Sequence, residues 1–373
     1  MTKRHAQNER VKRRYLQFLK GARGRDEASV DAVAKSIERF EEYNRYRDFK
    51  KFHFEQARGF TDALLESKNV RTGRPLSAGT IKSTLAHLKA FFEWLTQEPG
   101  YRASVKPRDA AWFKASDNLD RIASGSRYKP FASIDQIESV LRAMPSETEI
   151  ERRDRALIAF AILSGARDAA IVTFKIKDID LENRFLDQDA RHVETKRRKT
   201  FPTWFFPVGD FIEGIVVEWV TFLRRKKGSG PEDPLFPKPR IESEVDIGFH
   251  NCGIGREHWS NANAVRRIFR EAFAHAGQQY YRPHSFRDSL TKLAYDLKLN
   301  AEQLKAWSQN YGHDSCLTTI MSYGVVAPGR QAELLRDLAV PRPAPLINVA
   351  PELLRQMADW MENEDRSHRI FGD

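Results

Sequence analysis

Residues 156–165, ALIAFAILSG, are apolar at nearly every position. A helix that is hydrophobic all round, rather than along one stripe, has to be enclosed by other elements. The run falls far short of the roughly 18–20 apolar residues that cross a bilayer, and no other stretch of the chain approaches that length. It is therefore expected to form a buried helix in a globular core, ended by Gly165.

The flanking sequence says what encloses it. Val30, Val33, Ile37 and Phe40 recur at spacings of three and four, and Ile81, Leu85, Leu88, Phe92 and Leu95 repeat that pattern more cleanly. Both are single buried helix faces, the second opened by Ser77 as N-cap and closed by Pro99-Gly100. Between Ala103 and Pro130 the periodicity fades into a mixed, basic segment with Gly125, read in its second half as a linker. Ser133 and Gln136 form a capping box ahead of Ile137, Val140 and Leu141. After the buried run, FKIKDIDLENRFL and ARHVETKRRKTFPTWFFPV carry β-formers around a tight basic turn, which predicts a small antiparallel sheet. Phe211, Ile215 and Trp219, then Val265, Ile268, Phe269 and Phe273, predict two further helices. The Gly- and Pro-rich stretch 228–257 is read as loop.

A chain of 373 residues can hold two separate cores. The expectation is a mainly α protein of two domains: a helical domain over 1–115, a linker over 116–130, and a mixed helical domain with a small antiparallel β-sheet over 131–340. A tail over 341–373 follows, in which Leu353, Met357 and Trp360 share a helix face.

Lys and Arg total 62 against 51 Asp and Glu, a net charge of +11, which favours a polyanionic partner. The N-terminus MTKRHAQNERVKRRYLQFLKG lacks the apolar core and cleavage site of a secretory signal, so a cytoplasmic protein is expected. Two cysteines, Cys252 and Cys316, exclude a disulfide framework or a structural zinc cluster. His250, Cys252 and His258 lack recognised ligand spacing, and no metal or cofactor is expected.

Four segments concentrate groups suited to a phosphodiester. In SGARDAA, Arg167 follows the end of the buried helix, where a guanidinium can offer a fixed fork of donors to phosphate oxygens. In VETKRRKTFP, Lys196, Arg197, Arg198 and Lys199 crowd a hairpin turn; such runs usually meet solvent or backbone phosphates, while one lysine could protonate a leaving oxygen. In RPHSFRDSL, His284 and Arg287 stand three residues apart, on one face if helical. In NYGHDSCLTTIMSYG, Gly312-His313 precedes Tyr323, which sits among small residues rather than in an apolar run. Each segment alone is weak. Their order, Arg, Lys, His-x-x-Arg, Gly-His, Tyr, is hard to obtain by chance. Lys82 and Lys89, on the polar side of the second helix, are candidates for phosphate contact alongside Arg197, Arg198 and Lys199.

On these residues the sequence resembles the tyrosine recombinase family, which includes phage integrases. The likeness spans about residues 10–340 and is strongest over 156–324. The family's LLTGLRxxE segment is matched by AILSGARDAA at Arg167, its hairpin lysine by Lys196, its HxLR by HSFR at His284 and Arg287, and its LGH by YGH at His313. The tyrosine after TT matches Tyr323, and SAGTIKSTLAHLKAFFEWL looks like part of the N-terminal core-binding domain. Ala170 stands where the family has an acid, with Asp168 nearby, and the interval from His313 to Tyr323 is one residue longer than the common spacing. Lys199 is a rival to Lys196 because the turn is short.

The resemblance implies a site-specific DNA recombinase or integrase that forms a 3′-phosphotyrosine through Tyr323. Arg167 and Arg287 would meet the non-bridging oxygens, His284 would act as base or positioning group, His313 as donor, and Lys196 as general acid. Partners implied are double-stranded DNA attachment sites and a homotetramer in the synaptic complex, with no membrane; accessory directionality proteins are left open. The helical pattern starts near Val11, so no separate arm-binding domain is expected. A catalytically inactive, recombinase-derived DNA-binding protein and a relaxing topoisomerase are the rival readings.

Overall fold

The computed structural model describes residues 4–70, 72–124, 130–244 and 248–315, with isolated positions 331, 352 and 355. The chain divides into two compact units, 1–126 and 127–373.

The first unit is all helical: α1 (Ala6–Gly21), α2 (Glu27–Tyr43), α3 (Phe54–Glu66), α4 (Ala78–Leu95), the single turn α5 (Pro107–Ala110) and α6 (Asp117–Ser124). Ser77 caps α4 as expected, its hydroxyl accepting from Thr80 N at 3.1 Å, and all five periodic residues of α4 are buried. Phenylalanines dominate the core. Phe52 and Phe92 stack with centroids 3.8 Å apart, and Phe40 meets Phe52, Phe60, Phe92 and Phe113 edge-on, the geometry aromatic quadrupoles favour. A polar network pins α1 to α2: buried Asn8 donates to Arg47 O and accepts from Phe49 N, while Lys12 pairs with buried Glu41. The segment read as linker departs from expectation, because 117–124 form α6. Ser116 accepts from Leu119 N at 3.3 Å, Asp117 and Asp120 occupy the first turn where the helix dipole favours acids, and Leu119 packs on the core.

The second unit contains α7 (Ile134–Ala143), α8 (Glu149–Ser164), the one-turn α9 (Asp168–Ile171), β1 (Ile179–Asp180), β2 (Phe185–Gln188), β3 (Phe201–Trp204), α10 (Asp210–Arg225), β4 (Pro239–Glu244), β5 (Gly248–Ile254), α11 (Asn263–His275), α12 (Phe286–Asp296) and α13 (Ala301–Asn310). The capping box of Ser133 and Gln136 opens α7. Every residue of α8 from Ala156 to Ser164 is buried, as an all-apolar helix requires. The predicted sheet is antiparallel in the order β1-β2-β3, with Leu186 opposite Thr203.

The stretch read as loop holds a second antiparallel pair, β4–β5, with Glu242 opposite His250 and Ser243 opposite Phe249. The glycines and prolines of 228–257 fall mostly outside the two strands, with Pro239 and Gly248 at the strand starts; cross-strand pairing overrides weak local preference. Tyr323 and the tail residues Leu353, Met357 and Trp360 lie outside the described residues.

Candidate active site

Three helix termini of the second unit bring the expected residues together. At the first, α8 stops at Gly165 with φ +59°. A Cβ there would lie 3.1 Å from Leu290, Phe206 and Tyr311, so glycine answers both the left-handed angle and the crowding. The chain then extends at Arg167, the N-cap position of α9. Burial depresses the Arg167 pKa, and the described residues offer it no hydrogen-bond partner. Asp168 does not support it: that carboxylate accepts from Ala169 N and pairs with Arg266 at 2.8 Å, while Ala170, at the family's acidic position, is buried in the core.

At the second terminus, a 3₁₀ turn over Pro283–Ser285 leads into α12. His284 is exposed on that turn and Arg287 is buried on the helix, so the pair straddles a junction rather than sharing one regular helix. Arg287 is only 8% exposed. Its Nη1 donates to Gly165 O at 2.6 Å, and its Nη2 to Tyr311 O at 3.2 Å and to His313 Nε2 at 2.9 Å. Among the described residues it has no salt bridge. Burial, then the charge of Arg167, push its pKa down to about 10. Arg153, also buried, shows the usual solution to the same problem, with Asp154 2.7 Å away.

At the third terminus, α13 ends in a Schellman motif. Gly312 takes φ +70°, Gly312 N donates to Gln309 O at 2.7 Å and His313 N to Ser308 O at 3.2 Å, the paired bonds that define such an end. The Gly-His dipeptide is thus a helix stop that aims the histidine. His313 is held down to about pKa 4 by burial, then by the charges of Arg287, Arg167, Lys196 and Lys199. Those four cations with His313 are one electrostatic cluster.

The basic turn reaches this cluster because Asn310 staples the sheet to α13. Its side chain accepts from Trp204 N at 2.7 Å and donates to Trp204 O at 2.8 Å, and its carbonyl accepts from Thr203 Oγ1 at 3.0 Å. Residues 196–198 form a single 3₁₀ turn in which Arg197 and Arg198 have positive φ. Lys199 pairs with Asp314, and Arg197 lies 3.9 Å from the same carboxylate, whereas Lys196 is exposed. A cleft of about 520 Å³ runs beside His313, lined by Lys199, Phe201, Trp204, Asn310 and Gly312. The larger cavity of about 900 Å³, between α1 and α2, holds none of the expected catalytic groups.

Of the candidate DNA contacts in the first unit, Lys82 sits 3.4 Å from Asp120 and Lys89 3.9 Å from Glu93; both side chains are half exposed. His258, weighed with His250 and Cys252 as a metal ligand, faces Val172 O at 3.0 Å, and the described residues contain no metal-binding cluster. Sequence reasoning passed over Tyr311, Asn310 and Asp314. Their adjacency to Gly312-His313 was the available signal.

Comparison with known proteins supplies the relationship. The model of the phage integrase family matches residues 131–329, more than half of the chain. A phage integrase N-terminal SAM-like domain matches residues 13–99. Tyrosine recombinase XerC of Lactobacillus delbrueckii subsp. bulgaricus is 26% identical over 261 residues, covering 68% of this chain and 75% of that protein. Among solved structures, a lambda integrase dimer bound to a COC′ core site has a TM-score of 0.57 at 15% identity, covering 84% of this chain and 94% of that one. The Tn1549 transposon integrase in complex with a circular intermediate DNA reaches 0.54 at 15% identity, covering 87% and 98%. No described helix is long and apolar enough to cross a membrane. With its two helical units, small antiparallel sheet and matching family model, the chain belongs to the phage integrase family of tyrosine recombinases.

Proposed function

We propose that this protein is a site-specific DNA recombinase that cleaves and rejoins strands through Tyr323, serving integration or excision of a mobile element. The observation that carries the reading is the buried, unpaired charge of Arg287. Arg287 is buried without a salt bridge among the described residues and feels the charge of Arg167, while Lys196 and Lys199 act with both arginines on the adjoining His313. A buried cation without a counter-ion costs several kcal/mol, and a phosphate entering that position would remove the cost.

Attack on a phosphodiester adds negative charge to a five-coordinate phosphorus, which preorganised donors stabilise. Arg167 and Arg287 hold the non-bridging oxygens with two-pronged geometry, and His313 donates to the same phosphate. Tyr323 loses its phenolic proton to His284, its oxygen bonds to phosphorus, and the bond to the 5′ oxygen breaks. Lys196 gives that oxygen its proton. The 3′-phosphotyrosyl ester conserves the bond energy, so a 5′ hydroxyl can reverse the step without nucleotide hydrolysis. Exchange between two duplexes calls for four protomers; lambda integrase, of the same fold, has been solved as a tetramer bound to a Holliday junction. The matched SAM-like domain, with Lys82 and Lys89 on α4, serves as the second DNA-gripping unit, and the remaining contacts come from Arg197, Arg198 and Lys199.

The test is covalent trapping. Wild type and Tyr323→Phe are incubated with a nicked duplex carrying the element's attachment sequence, and a denaturant-resistant adduct is sought. An adduct that vanishes in the variant is the expected result. Tight binding to a verified site with no adduct would make the chain a catalytically inactive DNA-binding protein.

A further inference from the structure

We infer that Tyr311 is a positioning residue for Arg287, holding the guanidinium with its ring face and backbone carbonyl while its hydroxyl shares with Thr291 the bracing of the arginine's backbone; this rests on the recombinase reading for its catalytic consequence, though not for its geometry. At the far end, the guanidinium carbon lies 4.3 Å from the centroid of the Tyr311 ring while Nη2 donates to the Tyr311 carbonyl at 3.2 Å. At the near end, the Tyr311 hydroxyl donates to the backbone carbonyl of Arg287 at 3.1 Å.

The surroundings fix Tyr311 itself. It is 2% exposed, its ring centroid lies 5.1 Å from that of Phe206, and Trp307 Nε1 donates to its hydroxyl at 3.4 Å. Its backbone is the last residue before the left-handed Gly312, so the ring, its carbonyl and His313 are placed by one helix end. The His313 ring lies 5.3 Å from the Tyr311 ring. One aromatic side chain thereby sets the spacing between the two phosphate-facing groups.

A buried guanidinium with Arg167 as neighbour has to be held by neutral partners, and carbonyls, an imidazole nitrogen and an aromatic face are what the site supplies. A ring face attracts a cation through its quadrupole, and more strongly where water is excluded. At this position the family pattern has leucine, which offers the carbonyl but neither the ring nor the hydroxyl. The acid at the family's supporting position is likewise absent, Ala170 standing there.

The experiment uses the full-length chain as wild type, Tyr311→Phe and Tyr311→Leu. Two readouts separate positioning from simple structural damage. The first is NMR titration of His313 in ¹³C-histidine-labelled protein without DNA, the resonance being assigned by its loss in His313→Gln. While Arg287 stays beside it, His313 titrates near 4, and release of the guanidinium moves it toward the ordinary 6.5. Wild type and Tyr311→Phe should titrate alike, because Thr291 still donates to the Arg287 carbonyl at 2.8 Å and the ring face remains. Tyr311→Leu should titrate higher, with the other histidines unmoved.

The second readout is the rate of adduct formation on two nicked duplexes, one with a phosphodiester and one with a neutral methylphosphonate at the scissile position. Tyr311→Leu should slow the phosphodiester reaction roughly thirtyfold, the scale of a desolvated cation–π contact, and the methylphosphonate reaction less, since that linkage carries no charge for Arg287 to meet. An unshifted His313 together with equal slowing on both linkages, or with no slowing, overturns the positioning role. A wild type that forms no adduct while His313 shifts as expected in Tyr311→Leu counts against the recombinase reading and leaves the hold on Arg287 standing.

Discussion

Nη2 of Arg287 and Nε2 of His313 are 2.9 Å apart, and a guanidinium has only protons to offer. Nε2 of His313 is therefore bare, and the neutral ring carries its proton on Nδ1. Protonating Nε2 would set two donors against each other. Because the folded pKa, about 4, lies below the ordinary 6.5, the unfolded chain takes up this proton first. The contribution to stability is complete above pH 6.5, declines as pH falls through the interval, and is gone below about 4. Urea unfolding at pH 7, 5.5 and 4.5 should show a steeper loss for wild type than for His313→Asn, which cannot titrate there. Parallel pH profiles would refute the contact. Inorganic phosphate, by neutralising the neighbouring cations, should raise the titration midpoint of His313.

Gly312 carries the geometry on which that contact depends. A Cβ at this position would sit 2.5 Å from the Phe201 ring, and its φ of +70° costs a side-chain-bearing residue about 1 kcal/mol by itself. Gly312→Ala should lower unfolding free energy by about 2 kcal/mol or more, since overpacking adds to the backbone term. Replacing Phe201 with leucine in the same chain should recover part of the loss, which denaturant melts of the three variants would show.

Asp314 is the acidic neighbour of the cluster, paired with Lys199 and close to Arg197. Its side chain is 69% exposed, and pairs of that kind contribute little to stability, so Asp314→Asn should shift unfolding by less than about 0.5 kcal/mol. Its effect belongs to binding. Freed from the carboxylate, the turn should hold random-sequence duplex more tightly, with a salt dependence steeper by about one released counterion. Fluorescence anisotropy at two salt concentrations measures both quantities, and identical slopes would rule the effect out.

In the first unit, Lys12 is the cation that matches Glu41, whose side chain is fully enclosed. Removing one partner of a buried pair leaves an uncompensated charge at about 3–5 kcal/mol. Lys12→Met should therefore be strongly destabilising, while Lys12→Met with Glu41→Leu should be much closer to wild type. Additive losses in that cycle would show the pair to be uncoupled.

Local signals in the chain were read correctly where a single element carried them. The five-residue periodicity of α4, the Ser133–Gln136 capping box and the all-apolar α8 each declare their structure within a few positions. Helix α6 did not, since Leu119 and Ile122 are the only large apolar residues in its sequence and its docking on α4 is tertiary. The β4–β5 pair was hidden because neither strand is persuasive without its partner. At the candidate site, the ordered motifs named the groups, but not how they are held. The engagement of Asp168 by Arg266 spans 98 residues and that of Arg287 by Gly165 spans 122; no spacing rule reaches so far. Tyr311 looked like a substitution in a motif until its ring was placed against the guanidinium.

The two units have cores that share no residue: one is built around Phe40, Phe91 and Phe92, the other around Phe160, Phe174 and Phe269. Each unit therefore carries its own hydrophobic driving force, and a large-to-small substitution in either core removes contacts from that core. The groups that hold Arg287, from Gly165 to Tyr311, are thus packed within the second unit's own core.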